Sequence, residues 1–209
     1  DLSKAGIPCV GIPGTIDNDI ACTDYTIGYD TAMNTTIEMV DKLRDTAQSH
    51  DRCSVVEVMG RRAGYIALNA GIACGATYIV VPEIGLDMDA MLNKIKAAKA
   101  LGKRYFIIMV AEGIGHVDEI AERIEKETGI ESRSTVLGHV QRGGSPTVTD
   151  RVVASQMGFH AVELLKQGIG NRVVAQKAGK IVDFDIQEAL SMKKDFPMDL
   201  YNIANDISF

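Results

Sequence analysis

The 209-residue sequence has no apolar run approaching the ~20 residues needed to cross a bilayer, and its N-terminus has neither the basic nor the apolar region of a signal peptide. Cysteine is scarce and scattered. Cys9, Cys22, Cys53 and Cys74 show no paired spacing for zinc or a redox dithiol, so a reduced, cytoplasmic protein is the simplest expectation. Positive charge is in deficit: a formal net charge of -6 argues against non-specific nucleic-acid binding, while leaving room for a small anion held by a local cluster of arginines. There is no G-x-G-x-x-G run to support a dinucleotide site, and no low-complexity tract.

What is present is a globular composition, 46% hydrophobic and 24% charged, in a chain long enough for one large or two small cores. The first residue is Asp1 rather than Met, which leads to the expectation of a chain that starts inside a longer protein or has been processed or truncated. Ile7 to Ile12 reads as a short buried strand ended by Pro13-Gly14. Met33, Ile37, Val40 and Leu43 then fall at helical spacing between about Gly28 and Thr46. Strands are expected at Cys53 to Val58, Tyr78 to Val81, Tyr105 to Val110 and Ser134 to Leu137, with helices between them. A long helix follows, with Ser145 as its expected N-cap and Pro146 at its first position. Arg172 to Gln176 and Lys180 to Phe184 read as a hairpin around Ala178-Gly179, with two short helical patterns beyond it. Strands alternating with helices of this length predict an α/β fold with a mostly parallel sheet covered on both faces.

The stretch Pro13-Gly14-Thr15-Ile16-Asp17-Asn18-Asp19-Ile20 has no apolar periodicity and can be read in two ways. If it is extended, Thr15, Asp17 and Asp19 project from one face, an arrangement that calls for a cation or a transferable proton between the acids. Alternatively it is an Asx-rich turn leading into a helix. In open α/β sheets ligands bind outside the carboxyl ends of the strands. Those exits carry Thr15, Asp17 and Asp19; Gly60 and Arg61; Glu112; and His139 with Arg142. Arginine forks suit a phosphate and acids suit sugar hydroxyls, so a phosphorylated polyol fits better than a dinucleotide. Arg52 and Arg133 stand at strand starts, the wrong edge for this crevice in the same subunit.

The runs PGTIDNDI, TDYTIGYDTA, SVVEVMGR, VVPE, IEKETG and TVLGHVQRGGSP resemble the bacterial 6-phosphofructokinases, in this order and spacing over nearly the whole chain. The resemblance implies transfer of the γ-phosphoryl of ATP, bound with Mg2+, to the 1-hydroxyl of fructose 6-phosphate, the committed step of glycolysis. It also implies a homotetramer of subunits with two Rossmann-like three-layer domains, one of them incomplete in this chain. Residues 1–28 with 141–191 would be the remainder of the ATP-side domain, and 29–140 with 192–209 the sugar-phosphate and effector domain. Asp17 resembles the family's base, with Thr15 and Ile16 beside it and Asp19 near the magnesium and phosphate region; Arg61 resembles the arginine that stabilises the transferring phosphoryl. Met59, Gly60 and Glu112 match positions lining the sugar, and His139 and Arg142 match those holding its 6-phosphate. Arg52 and Arg133 match arginines that reach that phosphate from a neighbouring subunit.

Arg44, Gly75 and Lys103 match the family's effector site for ADP or phosphoenolpyruvate, whereas Thr77 stands where an acid is usual and Leu101 and Tyr105 replace basic or histidine positions. Gly14 stands where pyrophosphate-dependent relatives typically have lysine, which favours ATP as donor. The family's glycine-rich nucleotide segment and magnesium-binding acid would lie upstream of Asp1. Two rival readings follow: a phosphosugar-binding or regulatory module without kinase activity, and a pyrophosphate-dependent enzyme.

Overall fold

The computed structural model describes residues 1–208, which divide into two compact units. The first comprises Asp1–Thr31 and Ser145–Asp195; the second comprises Ala32–Gly144 and the segment from Phe196 onward.

The second unit is built on a four-stranded parallel sheet. Its strands are β2 (Cys53–Val58), β3 (Tyr78–Val80), β4 (Phe106–Ala111) and β5 (Ser132–Val136), in the order β3-β4-β2-β5. All six residues of β4 are buried, as a strand covered on both faces requires. Side chains alternate across the pleat: Phe106, Ile108 and Val110 join Cys53 and Val55 beneath α3 (Met88–Ala100) and α4 (Val117–Thr128). The apolar stripe Val117, Ile120, Ala121 and Ile124 of α4 is the buried one. On the other face, α2 (Tyr65–Ala73) packs on β3 and β4, where Gly71 lies against Ile79 and Met109. Helix α7 (Met198–Ile207) joins α2 there. Burying each of the large side chains stabilises by roughly 1.5 to 3 kcal/mol relative to leaving it exposed.

The first unit carries a mixed sheet rather than a mostly parallel one. Strand β1 (Val10–Gly11) pairs parallel with β6 (Arg172–Lys177), which pairs antiparallel with β7 (Lys180–Asp185). The hairpin turns at Ala178 and Gly179, both with positive φ, as expected for a two-residue loop. Helix α5 (Val148–Lys166) packs on this sheet through Val153, Met157, Ala161 and Leu164, and α6 (Ile186–Ser191) follows β7. Two expectations need correction. Strand β1 has two residues instead of six: Pro8 offers no N–H to a ladder, and Ile7 and Ile12 are exposed. The N-cap of α5 is Thr147 and not Ser145, because the Thr147 hydroxyl accepts the Asp150 amide at 3.2 Å. Helix α1 (Tyr29–Ser49) starts close to the expected position, and β5 starts two residues earlier than expected.

Candidate functional site

The candidate residues fall into two groups, one in each unit. In the first unit, the loop from Pro13 to Ile27 closes on itself. The Ile27 amide donates to the Pro13 carbonyl at 2.9 Å, and the Thr26 hydroxyl donates to the Thr15 carbonyl at 2.7 Å. The segment is not extended between Thr15 and Asp19. The Asp17 amide donates back to the Thr15 hydroxyl at 3.2 Å, and Asn18 takes a left-handed φ of 51° with its side-chain amide on the Asp24 carbonyl at 3.2 Å. The chain therefore turns between the two acids, and they do not share an environment: Asp17 is buried and Asp19 exposed. The stretch is the turn, and the extended face shared by Thr15, Asp17 and Asp19 does not form.

In the second unit, three neighbouring strand exits are tied together. Glu112, the first residue after β4, accepts the amides of Gly60 at 3.1 Å and Arg61 at 3.2 Å through its Oε2. Met59, just after β2, donates its amide at 2.8 Å to Oε1 of Gln141, which lies in the 3-10 turn Gly138–Arg142 after β5. The close approach depends on two glycines. A Cβ on Gly60, whose φ is 148°, would lie 2.4 Å from the Ala63 carbonyl oxygen, and one on Gly113 would lie 2.8 Å from the Arg61 carbonyl oxygen. Arg61 itself has φ 56°, a conformation that costs of order 1 kcal/mol or more in a non-glycine residue and is retained where surrounding bonds impose it. The side chains of Arg61, Glu112, His139 and Arg142 stay exposed, while Met59, Gly60 and Gln141 are buried. A buried frame thus presents two arginines, a histidine and an acid at one sheet edge.

Arg52 and Arg133 lie at the opposite edge and converge on one acid. Arg52 Nε is 2.8 Å from Glu131 Oε2, and Arg133 Nη2 is 2.6 Å from Glu131 Oε1. The adjacent Arg52 guanidinium, followed by the charge of Arg133, holds the Glu131 carboxyl below its usual range. Elsewhere in the unit, Arg44, Gly75, Leu101, Lys103 and Tyr105 line a cavity of about 500 Å3. Burial, then the Arg44 guanidinium, lowers the Lys103 pKa, so the cavity holds two cations that repel each other. Thr77 is fully buried, and its hydroxyl has no hydrogen-bond partner among the described residues.

Sequence reasoning missed Gln141 and Asp150. Gln141 is 1% exposed and spans from the Met59 amide to the Thr36 hydroxyl, which its Nε2 reaches at 2.9 Å. Its position between His139 and Arg142 in GHVQR was the available signal. In the first unit, Asp150 is 2% exposed and accepts hydrogen bonds from Tyr25, Gly28 and Thr31. Glu57 also escaped notice: burial, then the charges of Glu112 and Asp118, raises its pKa. Among the described residues no group of three or more His, Cys, Asp or Glu side chains could hold a metal ion, and no helix is long and apolar enough to cross a membrane.

The model of the phosphofructokinase family matches residues 1–165. The chain is similar to an ATP-dependent 6-phosphofructokinase of Clostridium botulinum strain Hall, at 54% identity over 207 residues that make up 99% of this chain and 65% of the relative. A Clostridium acetobutylicum ATP-dependent 6-phosphofructokinase is 53% identical over the same shares. The chain therefore spans 65% of the length of these curated relatives. Among solved structures it is similar to the phosphofructokinase from Saccharomyces cerevisiae, with a TM-score of 0.84, 34% identity, and coverage of 95% of this chain and 28% of that one. A pyrophosphate-dependent phosphofructokinase from Marinobacter aquaeolei, 24% identical with a TM-score of 0.79, shares the fold over 95% of this chain and 57% of its own.

Proposed function

Because the chain belongs to the phosphofructokinase family, we propose that it carries the sugar-phosphate half of a site that transfers the γ-phosphoryl of ATP to the 1-hydroxyl of fructose 6-phosphate. The observation that carries this reading is the joining of three strand exits in the second unit. Glu112 holds the Gly60 and Arg61 amides and Gln141 holds that of Met59, so Arg61, Glu112, His139 and Arg142 come to one edge. Arg142 and His139 bind the 6-phosphate, since a guanidinium fork matches phosphate oxygens. Glu112 accepts from sugar hydroxyls, and Met59 and Gly60 line the ring. Asp17 accepts the proton of the attacking hydroxyl, and Arg61 stabilises charge spreading over the transferring phosphoryl, where most catalysis of this reaction originates. Thr15 fixes the backbone at Asp17 through its hydroxyl, with Ile16 between them. Asp19 lies on the outer side of the same turn.

Magnesium belongs to the nucleotide substrate in this reading. Gly14 favours ATP over pyrophosphate. The enzyme works in the cytoplasm at the committed step of glycolysis and assembles as a homotetramer, with Arg52 and Arg133 reaching the sugar phosphate of a neighbouring subunit. Their pairs with Glu131 are partly solvent-exposed and contribute little, so exchanging Glu131 for a phosphate costs little. The cavity at Arg44, Gly75 and Lys103 takes an anionic effector such as ADP or phosphoenolpyruvate.

The test is an assay with ATP, magnesium and fructose 6-phosphate, run beside one with pyrophosphate and beside calorimetry with the sugar alone. Turnover with ATP supports the reading. Turnover with pyrophosphate only transfers the site to the other donor, and sugar binding without turnover from either leaves a phosphosugar-binding module. Arg142→Ala is expected to weaken fructose 6-phosphate binding by about 1.5 to 3 kcal/mol, the contribution of a charged hydrogen bond. Equal dissociation constants for variant and parent in the calorimeter would remove Arg142 from the phosphate site.

A further inference from the structure

The loop that carries Asp17 is held from outside by a lysine that neither the sequence motifs nor the family resemblance singles out. Lys194 lies in the segment after α6, and its Nζ donates to the Asn18 carbonyl at 2.6 Å and to the Thr23 carbonyl at 3.0 Å. Asn18 is the residue immediately after Asp17 and the one whose left-handed φ turns the chain between the acids. Thr23 anchors the far side of the loop: its hydroxyl donates to the Tyr25 carbonyl at 2.8 Å and accepts the Gln176 amide of β6 at 2.9 Å. A single ammonium therefore joins the turn at Asp17 to the part of the loop fixed on the sheet.

We propose that Lys194 is a positioning residue for the Asp17 loop, bridging the Asn18 and Thr23 carbonyls so that the turn between Thr15 and Asp19 keeps one conformation. The inference rests on the role given to Asp17 above as far as turnover is concerned, and on geometry alone as far as the loop is concerned. Charge-assisted bonds to carbonyls are among the stronger single contacts available to a loop. Holding the ammonium there is costly. Burial, opposed by Asp24 and aided by Lys177, with Asp19 and Cys22 also opposing, lowers its pKa to about 8, so it remains mostly protonated at pH 7. Lys177 and the acid Asp24 pair with each other at 2.9 Å, and the Lys194 ammonium reaches the two backbone oxygens of Asn18 and Thr23. Neutral side chains of similar length fill the same space without bridging the two carbonyls, whereas a guanidinium donates to both.

The experiment compares Lys194→Met with Lys194→Arg in two readouts. In hydrogen exchange at neutral pH, Lys194→Met is expected to reduce protection of the amides between Asp17 and Asp24 by about tenfold, the scale of one charged hydrogen bond. Protection in β6 and α5 should stay unchanged. In the full-length protein the same variant should lower kcat by about tenfold while leaving the KM for fructose 6-phosphate within about twofold, because the loop presents the base. Lys194→Arg should restore both. Unchanged protection of the loop in Lys194→Met overturns the proposal, as does an Arg variant that behaves like Met, or a loss of protection spread evenly over the unit. If Lys194→Met does not fold, Lys194→Arg decides alone: loop protection at the parent level supports the bridge and a loss of it refutes it. Absence of turnover in the parent would defeat the kinase reading and leave the exchange result to judge Lys194 on its own.

Discussion

In the full-length protein, Asp17→Asn is expected to lower kcat by about 10² to 10⁴, the range that a positioned general base contributes, with affinity for fructose 6-phosphate nearly unchanged. Asparagine keeps the volume of the side chain, and the backbone bond from residue 17 to the Thr15 hydroxyl does not involve the carboxylate. What is lost is the capacity to take a proton as the oxygen–phosphorus bond forms. The comparison with Asp19 sharpens the test. Asp17 is buried within the closed loop and Asp19 is exposed beyond the turn, so Asp19→Asn should have a much smaller effect on kcat. Steady-state kinetics on both variants, with circular dichroism to establish that each is folded, settles the assignment. Equal losses at the two positions, or an unchanged kcat in Asp17→Asn, would return Asp17 to a purely structural role as the buried acid of an Asx-rich turn.

The parallel sheet was legible because its central strands, β2 and β4, are buried on both faces. Runs such as CSVVEV and FIIMVA have no soluble face, and each is followed by glycine and polar residues at its carboxyl end. That placement puts Arg61, Glu112, His139 and Arg142 at one edge from the sequence alone. The stretch at Asp17 was harder, because an alternation of two residues implies a shared face only if the backbone is extended. The Thr15 hydroxyl and the left-handed Asn18 make it a turn instead, and neither feature has a periodic signature. Asp150 and Lys194 were invisible for a related reason, and Gln141 was marked only by its place in GHVQR. Each is a polar residue whose importance comes from partners over 80 positions away, at Tyr25, Asn18 and Met59 respectively, and local pattern does not record such distances. The first strand misled because an apolar run that contains Pro8 reads as core, whereas only Val10 and Gly11 find a ladder.

Asp150→Ala is expected to destabilise the chain by about 3 to 5 kcal/mol, the cost of leaving several buried neutral donors without their acceptor. Its carboxylate accepts the Tyr25 hydroxyl at 2.6 Å, the Gly28 amide at 2.7 Å and the Thr31 amide at 2.9 Å, with the Thr31 hydroxyl as a further short contact. These donors come from the end of the Asp17 loop and the first turn of α1, where backbone N–H groups have no helical partner. Removing the acceptor leaves all of them to water that reaches the site poorly. Burial by itself would raise the pKa of Asp150, but the hydrogen bonds from Thr31, Tyr25 and Gly28 outweigh it and the pKa is lowered. The sign of the pH dependence follows. A carboxyl whose folded pKa lies below its unfolded value of about 3.9 adds stability above that value and loses it as pH falls through the folded pKa. Urea titration followed by circular dichroism should therefore show a midpoint well below the parent's at pH 7, with an unchanged slope. Asp150→Asn should fall between the two, since one amide oxygen still accepts while the NH2 group faces a donor. The gap between parent and Asn variant should narrow as the pH is lowered through the acid range. A gap that stayed constant down to pH 2 would mean that the ionised carboxylate is not what Tyr25, Gly28 and Thr31 recognise.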